Sequence, residues 1–389
     1  MKPRGSSPQY DDLKMMDGMR VLCLLWVMML GVCQFTMSSA VYNPWTLQQY
    51  FQTYAYTAVY SSNLGFDEFF FFSALLMTLK VADHLEESGS RNELSVFTYL
   101  RMLLLRYLRL APVYYLIFLV GWQVGPYFGD GPCWFTYEKG FNNCGDYWWS
   151  VFTMTINFVP GYVIANEGCY YWGWYPPCEL QLFVFTPWIA YLILKIKSPL
   201  WQCLAVSLGV LAGIGVNFYV IWANEMAAGL FAPQDVLIFK LFVIKPYTKL
   251  HAVFLGIGMA LIYKCIVREK SPAFEGTAFW RVLAKSKLFA LVTYVLALIA
   301  IGFVTLYPLP ANKNPVKWSN LHNSLFISLS RPLFIIALMA IMICMALDHG
   351  RILKTFFSLQ FWVPVSRLSY IVYLVFPMVN ATLISSMSQ

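Results

Sequence analysis

From Val21 to Tyr42 the chain runs for 22 residues without one charged side chain. A helix of about 20 apolar residues crosses the hydrocarbon of a bilayer, so this stretch reads as a first membrane helix. The pattern recurs. Bracketed by charges, further apolar runs lie at about 66–82, 104–126, 179–196, 200–222, 249–267, 288–307, 326–347 and 364–385. Only 12% of the residues are charged and 59% are hydrophobic, whereas a soluble domain carries about 25% charged residues. There is too little polar surface here to cover a water-soluble globule. The sequence therefore predicts an all-α integral membrane protein, a polytopic bundle of about nine transmembrane helices.

The segment before the first run, 1–16, is polar and carries Lys2, Arg4, Asp11, Asp12 and Lys14. It lacks the short apolar core and small-residue cleavage site of a secretory signal, so the first helix is expected to remain as an anchor. With the N-terminus inside, inner segments hold 20 of the 27 Lys and Arg residues and outer ones hold 7. That bias predicts a cytoplasmic N-terminus and a C-terminus outside. The net charge of +8 is spread over the ends of apolar runs, which is orientation chemistry and speaks against nucleic acid as a partner. Residues 17–389 are expected to form one transmembrane domain, with 127–178 as a long outer loop within it. Cys133, Cys144, Cys169 and Cys178 all fall in that loop. An even cluster on the oxidising side reads as two disulfides, with the pairing left open. The loop has no His and no CxxC spacing, so no metal site is expected. Such a loop favours the secretory pathway or the plasma membrane.

Charges placed against apolar runs are costly and mark function or helix pairing. They are Asp17, Arg20, Asp67, Glu68, Arg106, Arg109, Glu179 and Arg331. Position 31 lies eleven residues after Arg20. On a helix that is about three turns, so both share one face about 16 Å apart. The spacing suits a charge at the membrane edge and a reactive group inside, yet residue 31 is glycine.

Several of these charges sit in motifs. Asp17-Gly18-Met19-Arg20-Val21-Leu22 resembles the DGxRxL opening of the acyltransferase-3 family. Asp67-Glu68-Phe69-Phe70-Phe71-Phe72-Ser73-Ala74 resembles that family's VDxFFxLSG helix, with Ala74 where Gly is usual. Arg106-Tyr107-Leu108-Arg109-Leu110-Ala111-Pro112 resembles RxxRLxP. Trp174-Tyr175 with Glu179-Leu180-Gln181-Leu182-Phe183 resembles WYLxxDMQxF. Together with Lys245-Pro246-Tyr247-Thr248-Lys249 and the run from Arg367 to Val375, this form is similar to the animal branch called nose-resistant-to-fluoxetine-like. The matches follow in order from residue 17 to about 376.

The resemblance implies a multi-span enzyme that moves an acyl group, typically from acyl-CoA, to a hydroxyl of a sugar or lipid. It implies catalytic roles for Asp17, Arg20 and Glu179. It implies substrate or CoA contacts at Arg106, Arg109, Asp67, Trp174, Tyr175 and Gln181. No bound cofactor is implied, with acyl-CoA as the donor. The acceptor must lose a proton as it attacks, which suits His. The family His eleven residues after the arginine of DGxR is Gly31 here, and a second, after YLV, is Phe376. The branch also carries an outer N-terminal domain that Met1 to Lys14 are too short to supply. Three readings follow: an acyltransferase working through a substitute group such as Glu179, a non-catalytic relative that binds or transports lipid, and an accessory subunit of a larger membrane complex.

Overall fold

The computed structural model describes residues 12–38, 43–88, 93–130, 134–160, 169–229, 235–270, 286–314 and 317–387. Among them, nine long helices make the bundle. They are α1 (Met15–Ser38), α2 (Gly65–Glu87), α3 (Val96–Leu119), α4 (Tyr175–Lys195), α5 (Pro199–Ala223), α6 (Leu250–Lys270), α7 (Lys287–Leu306), α8 (Asn320–Ala346) and α9 (Trp362–Met387). Eight of the nine are long and apolar enough to cross a membrane. The exception is α2, which carries Asp67, Glu68, Lys80, Asp83, Glu86 and Glu87. It is an interior helix, packed against α1, α4, α6 and α8. The expected polytopic helical bundle is borne out, with eight helices apolar enough to span and a charged one, α2, among them.

Local sequence explains most helix ends. Ser286 caps α7 by accepting from the Phe289 N–H at 3.1 Å, and Ser319 caps α8 by accepting from the His322 N–H at 3.3 Å; each satisfies a donor that the helix leaves free. Pro199 opens α5, where a missing N–H costs nothing. The first helix begins at Met15 rather than at the edge of the apolar run, so Asp17 lies in its first turn, where the helix dipole favours a carboxylate. Between α1 and α2 the chain forms short helices Pro44–Phe51 and Tyr54–Tyr60 and a tight turn Ser61–Leu64. The Trp26 indole of α1 donates to the Ala58 carbonyl at 2.9 Å, so the helix Tyr54–Tyr60 lies against α1.

Two parallel pairs organise the middle. The Ser366 hydroxyl of α9 donates to Asp17 at 2.7 Å, and the Asn380 amide donates to the Gly31 carbonyl at 3.4 Å; α1 and α9 therefore run side by side in one direction. In the other pair, Lys264 of α6 reaches Asp83 of α2 at 2.8 Å while Lys249, just before α6, reaches Asp67 at 3.2 Å. A Cβ at Gly256 would stand 2.5 Å from the Phe71 carbonyl oxygen, so only glycine lets these two backbones meet. On the outside of the bundle, α7 exposes Leu288, Leu291, Leu296, Leu298 and Ile299, the surface a bilayer would solvate.

The loop between α3 and α4 carries two short helices, Phe135–Glu138 and Cys144–Phe152. It packs its own core of Tyr114, Phe118, Trp134, Tyr137, Phe141 and Tyr170 against the end of α3. Cys144 and Cys169 are joined in a disulfide. Cys178 is not: it lies one turn inside α4, fully buried and free, because the helix starts at Tyr175 and carries it away from the loop. The expectation of a disulfide at Cys178 is corrected accordingly. Cys133 lies outside the described residues.

Candidate functional site

The charged residues of the interior fall into two groups, set by which face of α2 they meet. Residues Phe66, Phe69, Ser73, Leu76, Met77 and Lys80 of α2 form one stripe at helical spacing and line a cavity of about 280 Å³. The stripe covers about 21 Å of helix at 1.5 Å per residue. Opposite it stand Arg20 and Leu24 of α1, Arg106, Arg109, Leu110 and Val113 of α3, Tyr175, Glu179 and Phe183 of α4, and Ser366, Arg367, Tyr370 and Tyr373 of α9.

Cations line the cavity from its Lys80 end past its middle. Halfway along, Arg106 is ion-paired with Glu179 and donates to the Ser73 hydroxyl at 2.8 Å. The Arg106 guanidinium also lies 5.0 Å from the centre of the Phe183 ring, a cation–π contact. Arg109 comes one turn later on α3 by its spacing and is exposed, as are Arg367 and Lys80. Five cations thus face one carboxylate around one cavity. A surplus of positive charge attracts an anion, and guanidinium forks match phosphate or carboxylate oxygens. The opposite end is apolar, closed by Phe66, Tyr175 and Tyr373, whose ring centres are 5.6 to 6.4 Å apart.

The second group lies on another face of α2. Asp67 is fully buried and paired with Arg331 of α8 at 2.5 Å and with Lys249 at 3.2 Å, with His251 of α6 at 3.9 Å. Lys249 and Arg331 both lie over the Phe242 ring. None of these residues lines the cavity. The group ties α2, α6 and α8 together through one carboxylate.

The residues singled out in the sequence therefore part company. Arg20, Arg106, Arg109, Tyr175 and Glu179 meet at the cavity. Asp17 stands behind it, accepting from Ser366, a lining residue. Trp174 packs against Phe66 at 4.9 Å, behind the aromatic end. Gln181 exchanges hydrogen bonds with the Asn157 amide at 2.8 and 2.9 Å and donates to the Met154 carbonyl at 2.9 Å, outside the cavity. Lys80, Ser73, Arg367, Tyr370 and Tyr373 line the cavity without having been given a role, although all but Lys80 lie within the quoted motifs. Their signal in the sequence is spacing, since Arg367, Tyr370 and Tyr373 fall at three-residue intervals on one helix face. Among the described residues no group of three His, Cys, Asp or Glu side chains could hold a metal.

Position 31 and position 376 meet each other. A Cβ added at Gly31 would stand 2.7 Å from Cε1 of the Phe376 ring. The Phe376 ring occupies the space that a side chain at 31 would need. This contact sits one turn beyond Tyr373 on α9 and two turns beyond Leu24 on α1, past the aromatic end of the cavity.

No protein-family model matches the chain, and no solved structure matches it. Among curated proteins it is similar to "Nose resistant to fluoxetine protein 6" of Caenorhabditis elegans, with 24% identity over 194 residues, covering 47% of this chain and 23% of that protein. The similarity thus spans about a quarter of the relative's length. The chain is an all-helical, polytopic membrane protein with distant similarity, over just under half its length, to a nose-resistant-to-fluoxetine protein.

Proposed function

We propose that this chain is an acyltransferase-3-type membrane protein that binds an anionic acyl donor, with acyl-CoA as the model ligand, and that its capacity for transfer is reduced or lost. The observation that carries the reading is the convergence of Arg20, Lys80, Arg106, Arg109 and Arg367 on one cavity whose far end is aromatic and apolar. Phosphates would sit among the cations and the acyl chain would point at the rings. The positive-inside bias supports a cytoplasmic mouth, where CoA thioesters are available, and the disulfide-bearing loop supports the secretory pathway or plasma membrane. The two positions at which the family resemblance implies histidine hold Gly31 and Phe376, packed together. No imidazole is there to take the acceptor's proton.

The test is binding and turnover by the purified chain in detergent or nanodiscs. Acyl-CoA is expected to bind, and Arg106→Ala and Arg109→Ala are each expected to weaken it at least ten-fold, since a charge-assisted hydrogen bond is worth about 1.5–3 kcal/mol. Thioester cleavage is expected to stay at the background rate. Absence of acyl-CoA binding at low salt would overturn the reading.

One observation favours a second reading, in which some transfer survives. Glu179 lines the cavity beside Tyr175 and Tyr370, so a carboxylate is within reach of a bound acceptor hydroxyl. That version requires acyl-CoA cleavage that disappears in Glu179→Gln while binding persists.

A further inference from the structure

A second polar feature of the interior approaches α2 from the end away from Lys80. Asn320, Ser324, Ser328 and Arg331 recur at helical spacing on α8, so they share one face. Asn320 is half-buried at the start of the helix, and the other three are buried. The stripe covers about 16 Å of helix at 1.5 Å per residue. Its direction follows from packing. While α6 runs with α2, α5 runs against α6, since a Cβ at Gly213 would meet the His251 backbone and one at Gly209 the Phe254 ring. The Asn320 amide donates to the Trp222 carbonyl, at the far end of α5, at 3.0 Å. The stripe therefore starts at the end of the bundle opposite Lys80 and leads to Arg331, the partner of Asp67.

At the foot of the stripe the polar groups form an unbroken string. The Asn217 amide meets His251 Nδ1 at 3.3 Å, His251 Nε2 lies 3.9 Å from Asp67, and Asp67 lies 3.2 Å from Lys249. All four residues are fully buried. Yet Asn217 Oδ1, His251 Nε2, Asp67 Oδ1 and Lys249 Nζ make no hydrogen bond to any described residue. Buried polar atoms are seldom left so, because each has given up its bond to water. Two of the four are acceptors. Lys249 Nζ is a donor, and with the Asn217 amide donating to Nδ1, His251 Nε2 carries the proton and is a donor too. An anion would face two oxygens and a metal ion two donors, whereas water serves both kinds.

We infer that Asn217, His251, Asp67 and Lys249 hold bound water, and that the Ser324–Ser328 stripe of α8 opens this water to the end of the bundle opposite the cavity mouth. Each serine hydroxyl donates to a carbonyl of its own helix, Ser324 to Asn320 at 2.8 Å and Ser328 to Ser324 at 2.6 Å. The hydroxyl oxygen keeps lone pairs with which to accept from water. Polar side chains set inside a membrane bundle mark such routes. None of these residues lines the cationic cavity, so the inference does not depend on the acyl-donor reading. The helix α2 is approached by an anionic ligand on one face and by water on another.

The measurement is hydroxyl-radical labelling of the purified chain in nanodiscs by an X-ray pulse, read residue by residue by mass spectrometry. The pulse makes radicals from water, so a buried side chain is oxidised where water is bound beside it. His251, and Phe242 under Lys249 and Arg331, are expected to be oxidised several-fold faster than Met342 and Met345. Those methionines are as deeply buried and intrinsically more reactive. Mixing with heavy-oxygen water just before the pulse reads how fast the bound water exchanges. Ser328→Leu, which fills the stripe, is expected to slow heavy-oxygen entry at His251 several-fold. Leu329→Phe, on the exposed side of the same helix, should leave it unchanged. Ser324→Val gives an independent block if Ser328→Leu cannot be purified folded. His251 and Phe242 as inert as the two methionines would overturn the bound water. Labelling whose exchange neither stripe substitution slows would overturn the route. Neither result bears on acyl-CoA binding, which is measured separately.

Discussion

At the residue scale, the contact of Gly31 with Phe376 and the pair of Arg106 with Glu179 make the sharpest predictions. With a Cβ at 31 only 2.7 Å from the Phe376 ring, Gly31→Ala should force the ring aside and cost about 1–3 kcal/mol. The same substitution in a Phe376→Ala background should cost little. A double-mutant cycle read by thermal unfolding in detergent should therefore give a coupling of about 1 kcal/mol or more; additive effects would show that the two side chains do not meet. For the second pair, Arg106→Ala leaves Glu179, only 9% exposed, without its cation, and removing one member of a buried pair costs about 3–5 kcal/mol. The double variant with Glu179→Ala should recover part of that loss. A binding defect in Arg106→Ala that persists in the more stable double variant would separate ligand contact from folding.

At the scale of elements, the decisive one is α2. Its two faces serve different ends, since the stripe through Ser73 faces the cavity and Asp67 faces α6 and α8. Asp67→Asn keeps the shape but leaves Lys249 and Arg331 with no carboxylate between them. We expect a loss of about 3–5 kcal/mol, seen as a sharp fall in the yield of folded protein, and partial rescue by Lys249→Met in the same chain. This division of labour was only half legible in the sequence. The apolar runs gave every long helix, because hydrocarbon admits little else, and α2 was placed by its position between charges. The partners of Asp67 were not legible, because Lys249 and Arg331 lie far from it in the sequence and meet it only through packing. Spacing could not tell Asp67 from Glu179 as a cavity residue, because the two answers differ only in which face of each helix is turned inward. The loop tells the same story. Four nearby cysteines suggested two disulfides, but the early start of α4 takes Cys178 out of reach. The remaining bridge closes the stretch from Cys144 to Cys169. Cys144→Ser is expected to cost about 2–4 kcal/mol by thermal unfolding, and a reductant should lower the wild type toward the variant without lowering the variant further.

At the scale of the whole molecule, the cavity's charge and the bundle's orientation are coupled. Its cations come from α1, α2, α3 and α9, and most of the chain's Lys and Arg residues lie at the same end by the sequence count. An epitope placed before Met15 should therefore be reached by antibody only after the cell membrane is permeabilised, while one placed in the loop near Lys139 should be reached in intact cells. The reverse labelling would put the cavity mouth outside and remove cytoplasmic acyl-CoA as its ligand. The Gly31–Phe376 contact has a further consequence, for the history open to the chain. A histidine introduced at either position alone would enter a site already shaped by the residue at the other. At 31 it would run into the ring, and at 376 it would face a glycine with no partner. Each position thus limits the other, so a larger side chain at 31 needs a smaller one at 376, and the pair is free to change together but not singly.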